Sequence, residues 1–96
     1  MTQGGRILVV DDESLVRETV GTLLADEGYL VDQASDGADA IAKVKERKPD
    51  AIVLDLIMPG MNGRQFLDAL RDLGHGDLPV IVMTAVQGLA QTVFPP

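Results

Sequence analysis

The chain has no cysteine, so disulfide staples and thiolate metal sites are both excluded. Aromatic residues make up only 3% of the sequence and tryptophan is absent, which leaves a core built from aliphatic side chains. Basic residues are also scarce. Eight lysines and arginines face fifteen acids, a formal charge of −7 with no basic patch, and this argues against direct nucleic-acid binding. No apolar stretch reaches the length of a membrane span, and the polar, glycine-rich residues 1–6 lack the apolar centre of a signal peptide. These absences lead to the expectation of one small cytoplasmic domain of 96 residues that must fold on aliphatic packing alone.

What is present is a set of short apolar runs that end in carboxylates. Ile7–Val10 leads into Asp11, Asp12 and Glu13, and Ala51–Leu54 leads into Asp55. Runs of this length between polar or turn residues read as buried parallel strands. A second strand is expected over Tyr29–Ala34 and a fourth over Pro79–Met83, leading to Thr84. Helical spacing fills the intervals. Ser14 is the expected N-cap of a first helix with Leu15, Val16, Val20, Leu23 and Leu24 on its apolar face, closed by Gly28. Ser35 or Asp36 starts a second helix with Ala38, Ile41, Ala42 and Val44 inward, ended by Lys48-Pro49. A third runs from about Gly63 to Leu73 with Phe66, Leu67, Leu70 and Leu73 inward. Strands and helices alternate with short connections, which predicts right-handed crossovers and an α/β fold with a parallel, doubly wound sheet.

In such a sheet, ligands sit outside the carboxyl ends of the strands, so both acidic clusters open into one crevice. Three converging carboxylates call for a cation to remain charged together. Asp12 is assigned first to the ion, with Asp11 beside it, Asp55 from the adjacent strand, and the backbone carbonyl of Ile57 completing the protein ligands. An oxygen-only set of this size suits Mg²⁺. A carboxylate shielded by that ion can accept a phosphoryl group as a nucleophile. The Thr84 hydroxyl, at the end of the fourth strand, can meet a phosphoryl oxygen. Each acid taken singly has a plainer explanation, since acids favour strand ends and helix starts; the combination departs from it. His75 is read as an exposed loop residue without companion ligands. Met58, Met61 and Met83 are read as core fillers, and Lys43, Lys45, Arg47 and Lys48 as the solvated side of the second helix.

The segments ILVVDDE, KPDAIVLDLIMPGMNG and LPVIVMTA, in that order, resemble the receiver domain of two-component response regulators. The resemblance covers about Arg6 to Ala85. It implies the flavodoxin-like strand order 2-1-3-4-5, phosphorylation of Asp55 by a histidine kinase or phosphotransfer protein, and Mg²⁺ on Asp11, Asp12, Asp55 and the carbonyl of Ile57. Thr84 matches the switch hydroxyl. The chain departs from the family pattern late in the sequence. It ends where the fourth helix would be forming, and no lysine follows Lys48 to match the family's lysine on strand five.

The expected organisation is therefore an incomplete receiver over residues 6–85, lacking the fifth strand and fifth helix. An uncharged tail follows over 86–96, with weak helical character at Val86–Val93. The fourth strand then stands at an open edge, which predicts a homodimer through that strand or the tail. The first helix is left without its usual neighbour. The expected activity is that of a phosphoacceptor rather than an enzyme. The alternative is a receiver that is not phosphorylated and serves as a dimeric interaction module. A phosphatase of the haloacid-dehalogenase type needs a second acid two residues past its nucleophile, where this chain has Ile57.

Overall fold

The computed structural model describes residues 5–55, 63–84 and 89–93. Its elements are β1 (Arg6–Val10), α1 (Ser14–Asp26), β2 (Leu30–Ala34), α2 (Gly37–Glu46), β3 (Ala51–Asp55), α3 (Gly63–Asp72), β4 (Val80–Thr84) and β5 (Leu89–Val93). The first four strands are mutually parallel, and the sheet order is β2-β1-β3-β4-β5. The α/β, doubly wound parallel sheet expected from the alternating pattern is thus present, with four parallel strands and three helices.

The apolar core divides between the two faces of the sheet. On one, α2 and α3 bring Ala40, Val44, Phe66 and Leu70 against Leu8, Val10, Ile52, Leu54, Val80 and Val82. Phe66 is wholly buried and is the largest such side chain among the described residues. On the other face α1 lays Val20 and Leu24 over Ile7, Val9, Val53 and Val31. Strands β1 and β3 lie between helices on both sides, which is why they read as continuous apolar runs rather than alternating ones.

Helix boundaries follow local chemistry. The Asp36 side chain accepts the Asp39 amide at 2.7 Å and caps α2. Gly28, just beyond α1, has φ +98°, a left-handed value that glycine adopts without a Cβ penalty. At the start of α1 the cap is Glu13 rather than Ser14, and the Glu13 side chain makes no capping hydrogen bond. Two residues upstream, Asp11 Oδ1 accepts the Glu13 amide at 2.9 Å and fixes the entry to the helix.

Several inward assignments are corrected. Leu15 and Leu23 are 75% and 62% exposed, and Ala38 and Ala42 are also on the surface. The buried face of α2 is Ala40 with Val44, flanked by Ile41. Lys43 is not merely a solvated residue: its Nζ donates to the Gln33 carbonyl at 2.8 Å, along the outer side of edge strand β2. Met83 packs as a half-buried filler on the α1 face, whereas Met58 and Met61 lie outside the described residues.

The C-terminal expectation also changes. Residues 89–93 form neither helix nor free tail but a fifth strand, antiparallel to β4, in register Thr84↔Leu89 through Val80↔Val93. Among the described residues there is no fifth parallel strand and no fourth or fifth helix. The edge of β4 predicted to be open is paired with this antiparallel strand. The physical cause is the one that made the edge a liability: the unpaired amides and carbonyls of β4 find partners in the nearest segment of chain.

Candidate functional site

The site is built at the carboxyl end of the sheet, where the chain changes direction. From β1 the first crossover leads through α1 to β2 on one side; from β2 the second leads through α2 to β3 on the other. The crevice between β1 and β3 is therefore the topological switch point. Registry places the acids there. Val10 is opposite Leu54, so Asp11 and Asp55, each one residue further along, emerge side by side.

Asp11 is 3% exposed and Asp55 7%, while Asp12 is open to solvent. One carboxylate oxygen from each of the three lies within 4.8 Å of the others. Among the described residues, no arginine or lysine forms an ion pair with Asp11 or Asp12. Two nearly buried carboxylates and a third at the rim, all oxygen donors, fit a hard divalent cation that retains water on its open side. Soft metals select thiolate or imidazole, and among the described residues neither joins this group.

The main chain around Asp11 is held from several directions. Its amide donates to the carbonyl of Ala34, the last residue of β2, at 3.1 Å, which carries the β1–β2 ladder one residue past the end of β1. Its carbonyl accepts Arg17 Nη1 at 2.8 Å. Arg17 Nε also donates to Gln33 Oε1 at 3.3 Å. Sequence patterning gave no signal for Arg17 or Gln33, because both lie at ordinary helix and strand positions and act through neutral oxygens.

Of the remaining expected site residues, Thr84 closes β4 at the same end of the sheet, one residue past the Asp55↔Met83 pair. Its hydroxyl and the carbonyl of Ile57 lie outside the described residues. His75 is half-buried rather than exposed. Its backbone amide donates to the Leu70 carbonyl at 2.8 Å in the turn that ends α3, and among the described residues it belongs to no ligand cluster. The groove of about 360 Å³ along the outer side of α1, lined by Leu15, Glu18, Thr19, Thr22 and Leu23, belongs to a separate surface. No helix among the described residues is long and apolar enough to cross a membrane.

Comparison with known proteins agrees with this geometry. Residues 7–94 match the family model described as the response regulator receiver domain. The response regulator MprA of Mycobacterium sp. (strain KMS) is 42% identical over 88 residues, which covers 92% of this chain and 38% of that protein. The MprA of Mycobacterium leprae is equally similar. The chain thus spans a little over a third of the length of these relatives. Among solved structures, the chemotaxis response regulator CheY4 of Vibrio cholerae superimposes with a TM-score of 0.81 at 34% identity, covering 90% of this chain and 72% of that one. The N-terminal domain of a response regulator receiver protein from Methanoculleus marisnigri JR1 gives 0.80 at 32% identity, covering 84% and 67%. Sequence match, sheet order and the placement of the acids at the switch point converge, and the chain belongs to the response regulator receiver domain family of two-component systems.

Proposed function

We propose that this domain accepts a phosphoryl group on Asp55 from a histidine kinase or phosphotransfer protein, as a signalling element rather than an enzyme. The observation that carries the proposal is the convergence of Asp11, Asp12 and Asp55 within 4.8 Å at the β1/β3 switch point. Asp11, Asp12, Asp55 and the Ile57 carbonyl would hold Mg²⁺, which supplies charge neutralisation between the carboxylates and an incoming phosphoryl group. In the transfer, a carboxylate oxygen of Asp55 forms a bond to phosphorus as the donor's N–P bond breaks. The electron pair of that bond stays with the donor imidazole. Thr84, at the end of β4, is assigned the contact with a phosphoryl oxygen. The absence of cysteine is in keeping with a cytoplasmic setting.

The test is intact mass after incubation with a small-molecule phosphodonor, with and without Mg²⁺, for the unsubstituted chain and Asp55→Asn. A single Mg²⁺-dependent phosphoryl adduct, absent in the variant, is expected. An adduct that persists in Asp55→Asn refutes the assignment of the acceptor.

A second reading has its own support. Among the described residues β5 is the outermost strand of the sheet, and its free side is open to a further strand. On this reading the domain is not phosphorylated and pairs with a second copy across β5. A protein that stays unmodified while binding Mg²⁺, and that sediments as a dimer at micromolar concentration, would favour it. A monomer at that concentration counts against it.

A further inference from the structure

We propose that Arg17 is a positioning residue of the carboxylate site, setting the place of Asp11 and Asp12 through the main chain of Asp11. The inference rests on the cation-binding reading above and adds a residue to it.

Arg17 lies one turn into α1, in a stretch that includes Asp12, Glu13 and Glu18. Among the described residues, its guanidinium nevertheless pairs with none of these acids. It turns back over the β1–α1 connection and donates to two neutral oxygens, the Asp11 carbonyl at 2.8 Å and Gln33 Oε1 at 3.3 Å. The planar, forked guanidinium can hold two acceptors in fixed relation, which a single ammonium cannot. Because the acceptors are neutral, the arginine fixes the loop without neutralising the carboxylates that a cation needs.

The far end of this clamp is itself fixed. Helix α1 lies close against β2 at Gly21, where a Cβ would lie 3.3 Å from Gln33 Nε2. The missing side chain leaves room for the Gln33 amide group to lie against the helix and present Oε1 to Arg17. At the near end, Asp11 has its amide on the Ala34 carbonyl, its carbonyl on Arg17 and Oδ1 on the Glu13 amide. Oδ2 is the one oxygen of Asp11 with no hydrogen bond among the described residues. Three anchors thus fix the orientation of one carboxylate, and Arg17 supplies the one that ties it to the body of helix α1 and to the Gln33 side chain. Partners that orient a ligand are worth a large share of metal affinity although they never touch the ion.

The experiment is a Mg²⁺ titration of the full chain followed by amide NMR, with thermal unfolding in chelator measured in parallel. Arg17→Ala is expected to raise the Kd for Mg²⁺ roughly tenfold. Arg17→Lys, which reaches one oxygen but not both, should recover part of that loss. Gln33→Met, similar in size but without Oε1, should raise the Kd in the same direction by less. A merely structural arginine would lower the unfolding temperature and leave the Kd unchanged, and that result for Arg17→Ala overturns the proposal. If Arg17→Ala does not fold, an unchanged Kd in Gln33→Met overturns it instead. Failure of the unsubstituted chain to bind Mg²⁺ removes the cation reading and this inference with it. That outcome is distinct from normal binding by the wild type and all three variants.

Discussion

Replacing Asp11 with Asn removes one negative charge from the acidic cluster and little else. The amide oxygen of Asn can still accept the Glu13 amide that Oδ1 now accepts at 2.9 Å, and the side chain keeps its size. What is lost is repulsion. Asp11 and Asp55 are both almost fully buried and have carboxylate oxygens within 4.8 Å of each other. Two unit charges at that separation repel by about 3.5 kcal/mol at an effective dielectric of about 20. Charge delocalised over two oxygens and local relaxation reduce this, so the metal-free variant should be more stable by about 1–2 kcal/mol. For a domain of this size that is a rise in Tm of about 5–15 °C. Thermal or urea unfolding in chelator measures it directly. Added Mg²⁺ should then reverse the ranking: a site at a hundred times its Kd gains about 2.7 kcal/mol, and the wild type collects that gain while Asp11→Asn collects less. An Asp11→Asn protein less stable than the wild type in chelator would refute the reasoning. It would mean that the cluster is held by hydrogen bonds that Asn cannot reproduce rather than strained by like charge.

Three further outcomes are expected. Phe66→Ala, at a fully buried position between α3 and the sheet, should cost about 3–5 kcal/mol in urea unfolding. Asp36→Ala removes the side-chain cap of α2 and should cost about 1 kcal/mol by the same assay, with no change in Mg²⁺ affinity. Deleting residues 86–96 uncovers β4, whose residues Val80–Met83 are apolar on both faces. Sedimentation velocity should show self-association that rises with concentration, and a shortened chain that remains monomeric would argue against edge protection by β5.

The parallel sheet and the acidic crevice were legible because each depends on a pattern confined to a few residues. A four-residue apolar run too short for a helix, rich in β-branched residues and set between helical segments, reads as a buried strand, and an acid at its end goes where the strand points. Leu15 and Leu23 were misplaced for a different reason. Helical spacing shows that they share a stripe with Val16 and Val20, but the width of the stripe that is covered depends on what packs beside α1, and periodicity does not carry that information. Ala38 and Ala42 were assigned inward on the same spacing, whereas the neighbouring Ala40 meets the sheet. Strand β5 was missed because Leu89–Val93 has no alternation strong enough to outweigh Gly88 and the Pro-Pro end; its conformation comes from the unpaired edge beside it. Arg17 and Lys43 were hidden by habit of composition, since a cation on a helix usually faces water, and here both reach backbone carbonyls.

The direction of β5 has a consequence for how the sheet is completed. A parallel strand beside β4 would require a crossover of a dozen or more residues, and its contacts would form late because a long loop must close first. An antiparallel strand needs only the short span 85–88 between Thr84 and Leu89. The last seam of this sheet is therefore a local hairpin, which closes on a microsecond scale once β4 is in place. The same locality means that it reopens without disturbing the four-strand core. The equilibrium of that one hairpin then sets how often the apolar edge of β4 meets another chain, and so the rate at which concentrated protein aggregates.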